Sequence, residues 1–579
     1  MAFREYLICS VRGDLKHFLV LTRHFYLRLF HNDVVSFGDQ MQEKIIGAQA
    51  LLAVLCGHVS NVMLFRYIFL EDQGTSWVEK CFVTTFFMLL IGFIAVFEWD
   101  VIFPDARDYV NLIPLPVKIR TLFLAKFASL FFFVSLFAVA INAIAVFTHA
   151  FYLVKWQSKS LSYGLRFMGA HLVANFAAVF FFFFFNVLVI GLLMNLLGVR
   201  LFRRLSVYIR SAFLAAYIFF LVMYLTGTTL ITPSFDSFLE LKAHNADFLF
   251  LFPPMWFTGL YETLLGHGDA FFRPFVPLAV LSLVATVGLF YVTMGLGYRR
   301  YLKHMAASSA SRPHFRGLRS RIRTAFDAVF LPHSVQRAVF YFIDQTLRQS
   351  MFHKVRLASF LAVALGMILV LVLPQPGALS RGARPSQALL AAPLILSFFL
   401  LIGIRGVSKI PSVIEANWVF RLTEDRGKHH YFSSVRKVIL FRALIPLFFL
   451  LYIFYTYLWD PVTAFYHCAY GCAVSVVLME VLFLKQRKIP FTCSYLPGQE
   501  RIQLFWLAYI LAFLGYVFIL TDVEAALLLR PAAFLYFFGA VLVLLTGIRV
   551  YLHLFFYKEI RILYEEAPTA VMLSLQPYE

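Results

Sequence analysis

The sequence predicts an all-α polytopic membrane protein of about twelve transmembrane helices, arranged as two parallel six-helix repeats. Three observations predict it. Of 579 residues, 61% are hydrophobic and 14% charged, with a mean hydropathy of +0.78; ordinary soluble domains carry about 45–50% and about 25%. Apolar stretches of the roughly 20 residues needed to cross a bilayer recur along the whole chain. The order of segments after residue 335 repeats the order before residue 297.

Residues 14–30, DLKHFLVLTRHFYLRLF, place apolar side chains three and four apart with Arg and Lys between them. That is the pattern of a helix lying in the membrane interface. Arg23 and Arg28 break up what would otherwise be the apolar part of a secretion signal, so no cleaved signal is expected. Six spans follow at 45–67, 81–98, 121–148, 168–197, 209–228 and 274–297. The fourth is long for one crossing. Six consecutive phenylalanines, Phe180 to Phe185, run on to Asn186 and Asn195, so a strong tilt or a break is expected there.

Residues 298–334 are basic and rich in small residues, with AASSASRPHFRGLRSRIR at their centre, and read as a cytoplasmic linker. A second amphipathic stretch, VQRAVFYFIDQTLRQSMF at 335–352, leads into spans at 355–373, 387–404, 438–458, 463–484, 503–520 and 532–550. The expected organisation is therefore a first six-span unit over 1–297, the linker over 298–334, and a second six-span unit over 335–579. Because six is even, both units share one orientation, related by an axis along the membrane normal.

Basic residues set that orientation. With both termini cytoplasmic, clusters such as Arg200, Arg203, Arg204 and Arg210, or Lys485, Arg487 and Lys488, fall inside. The densest outer group is only Lys155, Lys159 and Arg166. This satisfies the positive-inside rule, and the expected location is a plasma (inner) membrane. The same rule, with the attraction of anionic lipid, accounts for the net charge of +20 without nucleic acid. The six cysteines form no disulfide framework. Cys468 and Cys472 share a helix face beside His467 but offer too few ligands for a metal.

The most informative segment lies between the second and third spans: FPDARDYVNLIPLPVKIRTLFLAK, residues 103–126. It carries Asp105, Arg107 and Asp108, stiffens at Pro114 and Pro116, and turns basic at Lys118 and Arg120. A short rigid cytoplasmic element between two spans suits the transfer of force from a soluble motor. The corresponding loop of the second half, residues 410–437, has Glu415, Trp418, Glu424, Asp425 and Arg426 where the first has Glu98, Trp99, Asp105, Arg107 and Asp108. It lacks the LPLP turn and carries Gly427 and His429–His430 instead.

With these residues the chain resembles the permease subunit of a type-2 ABC exporter. The resemblance covers nearly the whole chain as architecture, and residues 105–126 as motif. It implies an amphipathic leading helix, six spans, and a cytoplasmic coupling helix between the second and third spans of each unit. It also implies an outer re-entrant segment before the sixth span, which falls on FPPMWFTGLYETLLG, with Pro254, Trp256, Tyr261 and Glu262. The family's usual subunit is one six-span unit that dimerises, so two units are fused here. The ATPase-coupling residues it implies are Asp105, Arg107, Asp108, Pro114 and Pro116 in the first loop, and Glu424, Asp425 and Arg426 in the second. The partner it implies is an ATP-binding cassette ATPase in two copies, whose closure rocks one half against the other. The chain has no GxxxxGK[ST] phosphate loop, so ATP falls to that partner, and no cofactor or catalytic residue is expected here.

Two other classes make different demands. An embedded enzyme needs clustered outer acids, and a secondary carrier needs paired acids or acid–histidine chains within spans. The outer acids Glu71, Asp72, Asp236, Glu262, Asp522 and Glu524 read as scattered, and Glu262 as a polar residue on an interfacial helix. Lys126 and Glu480 read as side chains reaching back to the inner face. His58, His171, Asn142, Asn175 and Asn186 are the residues able to line a polar path. Aromatic-rich spans with few buried charges suit a lipid-like or amphipathic substrate.

Overall fold

A computed structural model describes residues 15–27, 41–69, 76–97, 118–227, 239–244, 247–266, 269–306, 318–375, 377, 379–382, 384–412, 417–422, 424, 427–484, 486–492, 502–557 and 562–563. Their regular structure is all helical, with no strand among them. Among the described residues, eleven helices are long and apolar enough to cross a membrane. The protein is a multi-pass membrane protein. The count differs from twelve at the first predicted span, which is helical as part of Met41–Phe69 and whose described apolar portion is Gln49–Val62. The chain divides into two compact units at residue 311.

In the first unit, α1 (15–27) is followed by α2 (Met41–Phe69), α3 (Trp77–Phe97), α4 (Ile119–Trp156), α5 (Leu161–Gly227), α6 (Asp247–Leu251), α7 (Pro253–Leu265) and α8 (Phe275–Ala306). Leu21 and Phe25 of α1 bury against Leu122 and Ala125 of α4, while Leu15, Leu19 and Val20 stay exposed. One apolar face is thus spent on protein and another remains for lipid.

The long α5 settles how the fourth span ends. It runs unbroken through the six phenylalanines and breaks at Gly198 (φ 71°, ψ 158°), a left-handed conformation that costs glycine little. The Tyr217 hydroxyl donates to Asn186 Oδ1 at 2.5 Å. A straight helix would hold residues that far apart in sequence at about 46 Å, so α5 is a hairpin that folds back at Gly198. Within a membrane, helices gain little from the hydrophobic effect and associate by close packing. Ala170, Ala174 and Ala178, four apart on the first arm of α5, supply the smooth stripe this needs. Phe181, Phe183 and Phe184 fill the space beside it, and Phe185 points outward.

The second unit contains α9 (Leu318–Phe330), α10 (Ser334–Gln349), α11 (Met351–Val372), α12 (Gln387–Val407), α13 (Asn417–Leu422), α14 (His429–Ile439), α15 (Ile445–Leu458), α16 (Pro461–Leu482), α17 (Ile502–Leu528) and α18 (Ala533–Tyr551). Part of the tract read as a linker is the helix α9, packed through Phe326 and Phe330 on Phe340 and Phe441. The Tyr341 hydroxyl donates to Asp327 at 2.5 Å. On α10, Val339, Phe340 and Ile343 are buried, three and four residues apart, against α14. The amphipathic face therefore covers protein.

The centre of this unit is α12, 83% buried over its apolar window, whereas α18 is 6% buried and presents its apolar side chains outward. Pro393 interrupts α12 and has no N–H to offer the carbonyl of Leu389. The Tyr455 hydroxyl of α15 donates to that carbonyl at 2.7 Å. A backbone group orphaned inside the membrane is thereby satisfied by a neighbouring helix.

Candidate functional site

The helix α7 is 13 residues long, about 20 Å, too short for a hydrocarbon core of about 30 Å. Pro253 and Pro254 begin it, where a missing N–H costs nothing. Gly266 ends it in the left-handed conformation, φ +83°. It packs against α3, α5 and α8. Gly259 permits this approach: a Cβ there would stand 2.4 Å from Phe275 Cβ. Arg166 at the start of α5 donates from Nε to the Leu264 carbonyl at 2.8 Å, placing a cation at the negative end of the helix dipole.

Beneath α7 a polar cluster is sealed from solvent. Lys80 Nζ lies 2.7 Å from Glu262 Oε1 and 3.3 Å from Ser76 Oγ. Lys80 also faces the ring of Tyr261 at 5.4 Å, a cation–π contact. The Tyr261 hydroxyl and His171 Nδ1 share a hydrogen bond of 2.9 Å. The rings of His171 and His149 lie 5.9 Å apart. Asn175 donates to the His171 carbonyl and accepts from the Thr84 hydroxyl, each at 3.0 Å. Lys80, His171, Asn175, Thr84, Glu262, His149 and Tyr261 are all at most 2% exposed. His171 Nε2 has no hydrogen-bond partner among the described residues.

A second ion pair is half-exposed: Lys242 pairs with Asp269 at 2.6 Å and lies over the rings of Phe272, Phe271 and Trp77. The hydrogen bond from Lys242 holds the Asp269 carboxyl below its usual range against the opposing effect of burial, with help from the Phe271 N–H.

The second unit buries its own acid–base pair. His467 Nδ1 and Glu524 Oε1 are 2.5 Å apart, each side chain 1% exposed. Tyr455 and Trp459 wall the pair, with ring centroids 4.4 and 5.2 Å from His467. His467 Nε2, Glu524 Oε2 and Trp459 Nε1 have no hydrogen-bond partner among the described residues. On the opposite side in the predicted topology, Arg436 lies 2.8 Å and Arg549 3.8 Å from the fully buried Glu480. The Arg436 contact has the distance of an ion pair without the direction of a hydrogen bond.

Several sequence expectations change in consequence. Glu262 is an ion-paired buried acid, and Tyr261 is 1% exposed, neither of them on a solvent-facing surface. Pro254 is buried, and Trp256 is half-buried with its indole N–H on the Phe250 carbonyl at 2.8 Å. Glu480 is held by arginines and does not reach for water. Lys126 is 8% exposed and lies 5.6 Å from the Phe25 ring. Among the path residues, His171 and Asn175 join the cluster, Asn142 and Asn186 bond to the carbonyls of Ala138 and Phe182 in their own helices, and His58 is exposed.

The coupling residues Asp105, Arg107, Asp108, Pro114, Pro116, Asp425 and Arg426 lie outside the described residues. Glu424 is exposed and pairs with Lys428 at 3.6 Å. Lys80 escaped the sequence reading altogether. The signal that could have found it is an opposite charge, Glu262, predicted at the same membrane face. Among the described residues no group of His, Cys, Asp and Glu is arranged to hold a metal. Comparison with known protein families, with curated proteins and with solved structures finds no match.

Proposed function

We propose that this chain is the membrane permease subunit of an ATP-driven, ABC-type exporter, with both six-span units in one polypeptide and a separate cassette ATPase in two copies. The observation that carries the reading is α7: a proline-started helix too short to span, seated among spans and followed directly by the last span of the first unit. That is the place and form the resemblance gives an outer re-entrant segment. Intramembrane charges mark pathways or fixed supports, and the Lys80–Glu262 pair serves as the support that fixes α7 to α3. Aromatic side chains around α7, such as Phe181 and Phe257, suit a lipid-like or amphipathic substrate. The test is mild extraction with affinity capture. A stoichiometric P-loop ATPase, lost when 103–118 is altered, supports the reading, and capture of the chain alone under crosslinking refutes it.

A second reading, a proton-coupled secondary carrier, draws on the His467–Glu524 pair, an acid–histidine couple between two spans, α16 and α17, of the kind such carriers need. Transport by the purified chain alone in vesicles, driven by a pH gradient and abolished by Glu524→Gln, would favour it over the exporter.

A further inference from the structure

In the second unit α16 packs against both α15 and α17, and His467 stands where the three come together. Only Trp459 and Asp460 join α15 to α16. Asp460 caps α16 by accepting from the Thr463 N–H at 2.9 Å. Trp459, in extended backbone, has its ring centroid 5.2 Å from that of His467. His467 in turn bonds Glu524 of α17. Thr521 stands three residues before Glu524, on the same face of α17.

Four polar atoms of this group have no hydrogen-bond partner among the described residues: Trp459 Nε1, His467 Nε2, Thr521 Oγ1 and Glu524 Oε2. All four residues are at most 7% exposed. Buried polar groups in native proteins are nearly always bonded, and within a membrane bulk water does not reach them. A single orphan of this kind occurs in many proteins; four from three elements, gathered about one histidine, mark a site. The polar groups nearby are already engaged. The Tyr455 hydroxyl donates to the Leu389 carbonyl at 2.7 Å, and the Tyr470 hydroxyl to the Leu520 carbonyl at 2.8 Å. Trp459 otherwise belongs to an apolar core with Leu458, Ala464 and Leu528.

The chemistry of the four atoms selects the ligand. The Trp459 indole N–H only donates, which turns away a metal cation. Glu524 Oε2 accepts, which turns away an anion. His467 Nε2 accepts in one tautomer and donates in the other, and the Thr521 hydroxyl does both. The ligand must therefore be small and uncharged, and must donate and accept at once. Water meets this demand, and a buried water makes about three such bonds. By turning, it also matches His467 Nε2 wherever the proton of the His467–Glu524 pair stands. We propose that Trp459, His467, Thr521 and Glu524 form a binding site for ordered water. The site stands whether or not the chain moves protons, and is independent of the exporter reading.

The full chain, purified in detergent, is exposed to brief X-ray pulses, which turn water into hydroxyl radicals in place. Mass spectrometry then reads the oxygen added to each side chain, normalised for its intrinsic reactivity. Phe448, 5% exposed and in the same apolar core, is the dry reference. Wild type is expected to gain oxygen at Trp459 and His467 well above the level at Phe448. Thr521→Val with Glu524→Met keeps the side chains close in size and removes two of the four partners. Labelling at Trp459 and His467 is expected to fall to the Phe448 level in that variant. Thr521→Val alone, with a partial fall expected, serves if the double variant fails to elute as a single species. Wild-type labelling no higher than that of Phe448 overturns the proposal. So does labelling that persists unchanged in the variants, because water then reaches Trp459 and His467 without these partners.

Discussion

Lys80 Nζ lies 2.7 Å from Glu262 Oε1, with the side chains 0% and 3% exposed, and this pair joins the start of α3 to the short helix α7 across 182 residues of sequence. Removing one member of a buried pair strands the other's charge, at a cost of about 3–5 kcal/mol. Replacing both with apolar residues removes that penalty. Lys80→Met and Glu262→Leu should each lower the Tm of the purified protein sharply, and the double variant should recover most of the loss. Losses that simply add would show that the two charges do not depend on one another.

How much of this was legible is itself a physical matter. Span composition is local, so the helical class could be read from windows of the chain. The turn between the fourth and fifth spans could be read too, from the basic cluster at 200–204, but not that helix runs up to it on both sides and breaks at Gly198 alone, because one glycine in an apolar run has many uses. Lys80 sits in the first turn of an apolar helix, where a lysine usually reaches for water; only its distant partner shows otherwise. Glu524 was read as a loop acid because the eleventh span was ended at residue 520, whereas α17 continues to Leu528 and carries Glu524 into the helix bundle. His171, by contrast, was found, since a histidine in an apolar span stands out by itself.

Gly266 closes α7 at φ +83°, and a Cβ there would stand 2.5 Å from the Arg166 guanidinium. Gly266→Ala therefore meets backbone strain of about 1–2 kcal/mol and must also displace the arginine. A reduced Tm is expected. Arg166→Ala, which strands the Leu264 carbonyl, should show a smaller drop. If Gly266→Ala is neutral, the close of α7 is looser than the geometry here.

Acid should loosen the Lys242–Asp269 pair. The hydrogen bond from Lys242 holds the Asp269 carboxyl below its usual range. A carboxyl depressed in the folded state contributes stability fully above its unfolded value, about 4, and loses it as pH falls through the folded value. The Tm of wild type should exceed that of Asp269→Asn at pH 6, and the gap should close below about pH 4. A gap that persists in strong acid would exclude the carboxylate as its source.

The exporter reading makes its own demand on the first polar loop. Arg107→Ala with Asp108→Ala should leave membrane insertion intact while abolishing co-purification of the ATPase and stimulation of its hydrolysis. Binding and stimulation at wild-type levels would remove this loop from the coupling role.

Tyr455 and Pro393 offer a test in which a second substitution repairs the first. Pro393 leaves the Leu389 carbonyl without its helical donor, and the Tyr455 hydroxyl replaces it at 2.7 Å. Tyr455→Phe keeps the ring and removes only the donor, so an acceptor is stranded in a wholly buried place, which costs about 1–3 kcal/mol. Pro393→Ala supplies an N–H that can reach the same carbonyl. Tyr455→Phe should therefore lower the Tm in the Pro393 background and do so far less in the Pro393→Ala background. Since Tyr455 also walls the His467–Glu524 pair, a loss of the same size in both backgrounds would trace its role to that pair and not to the broken ladder of α12.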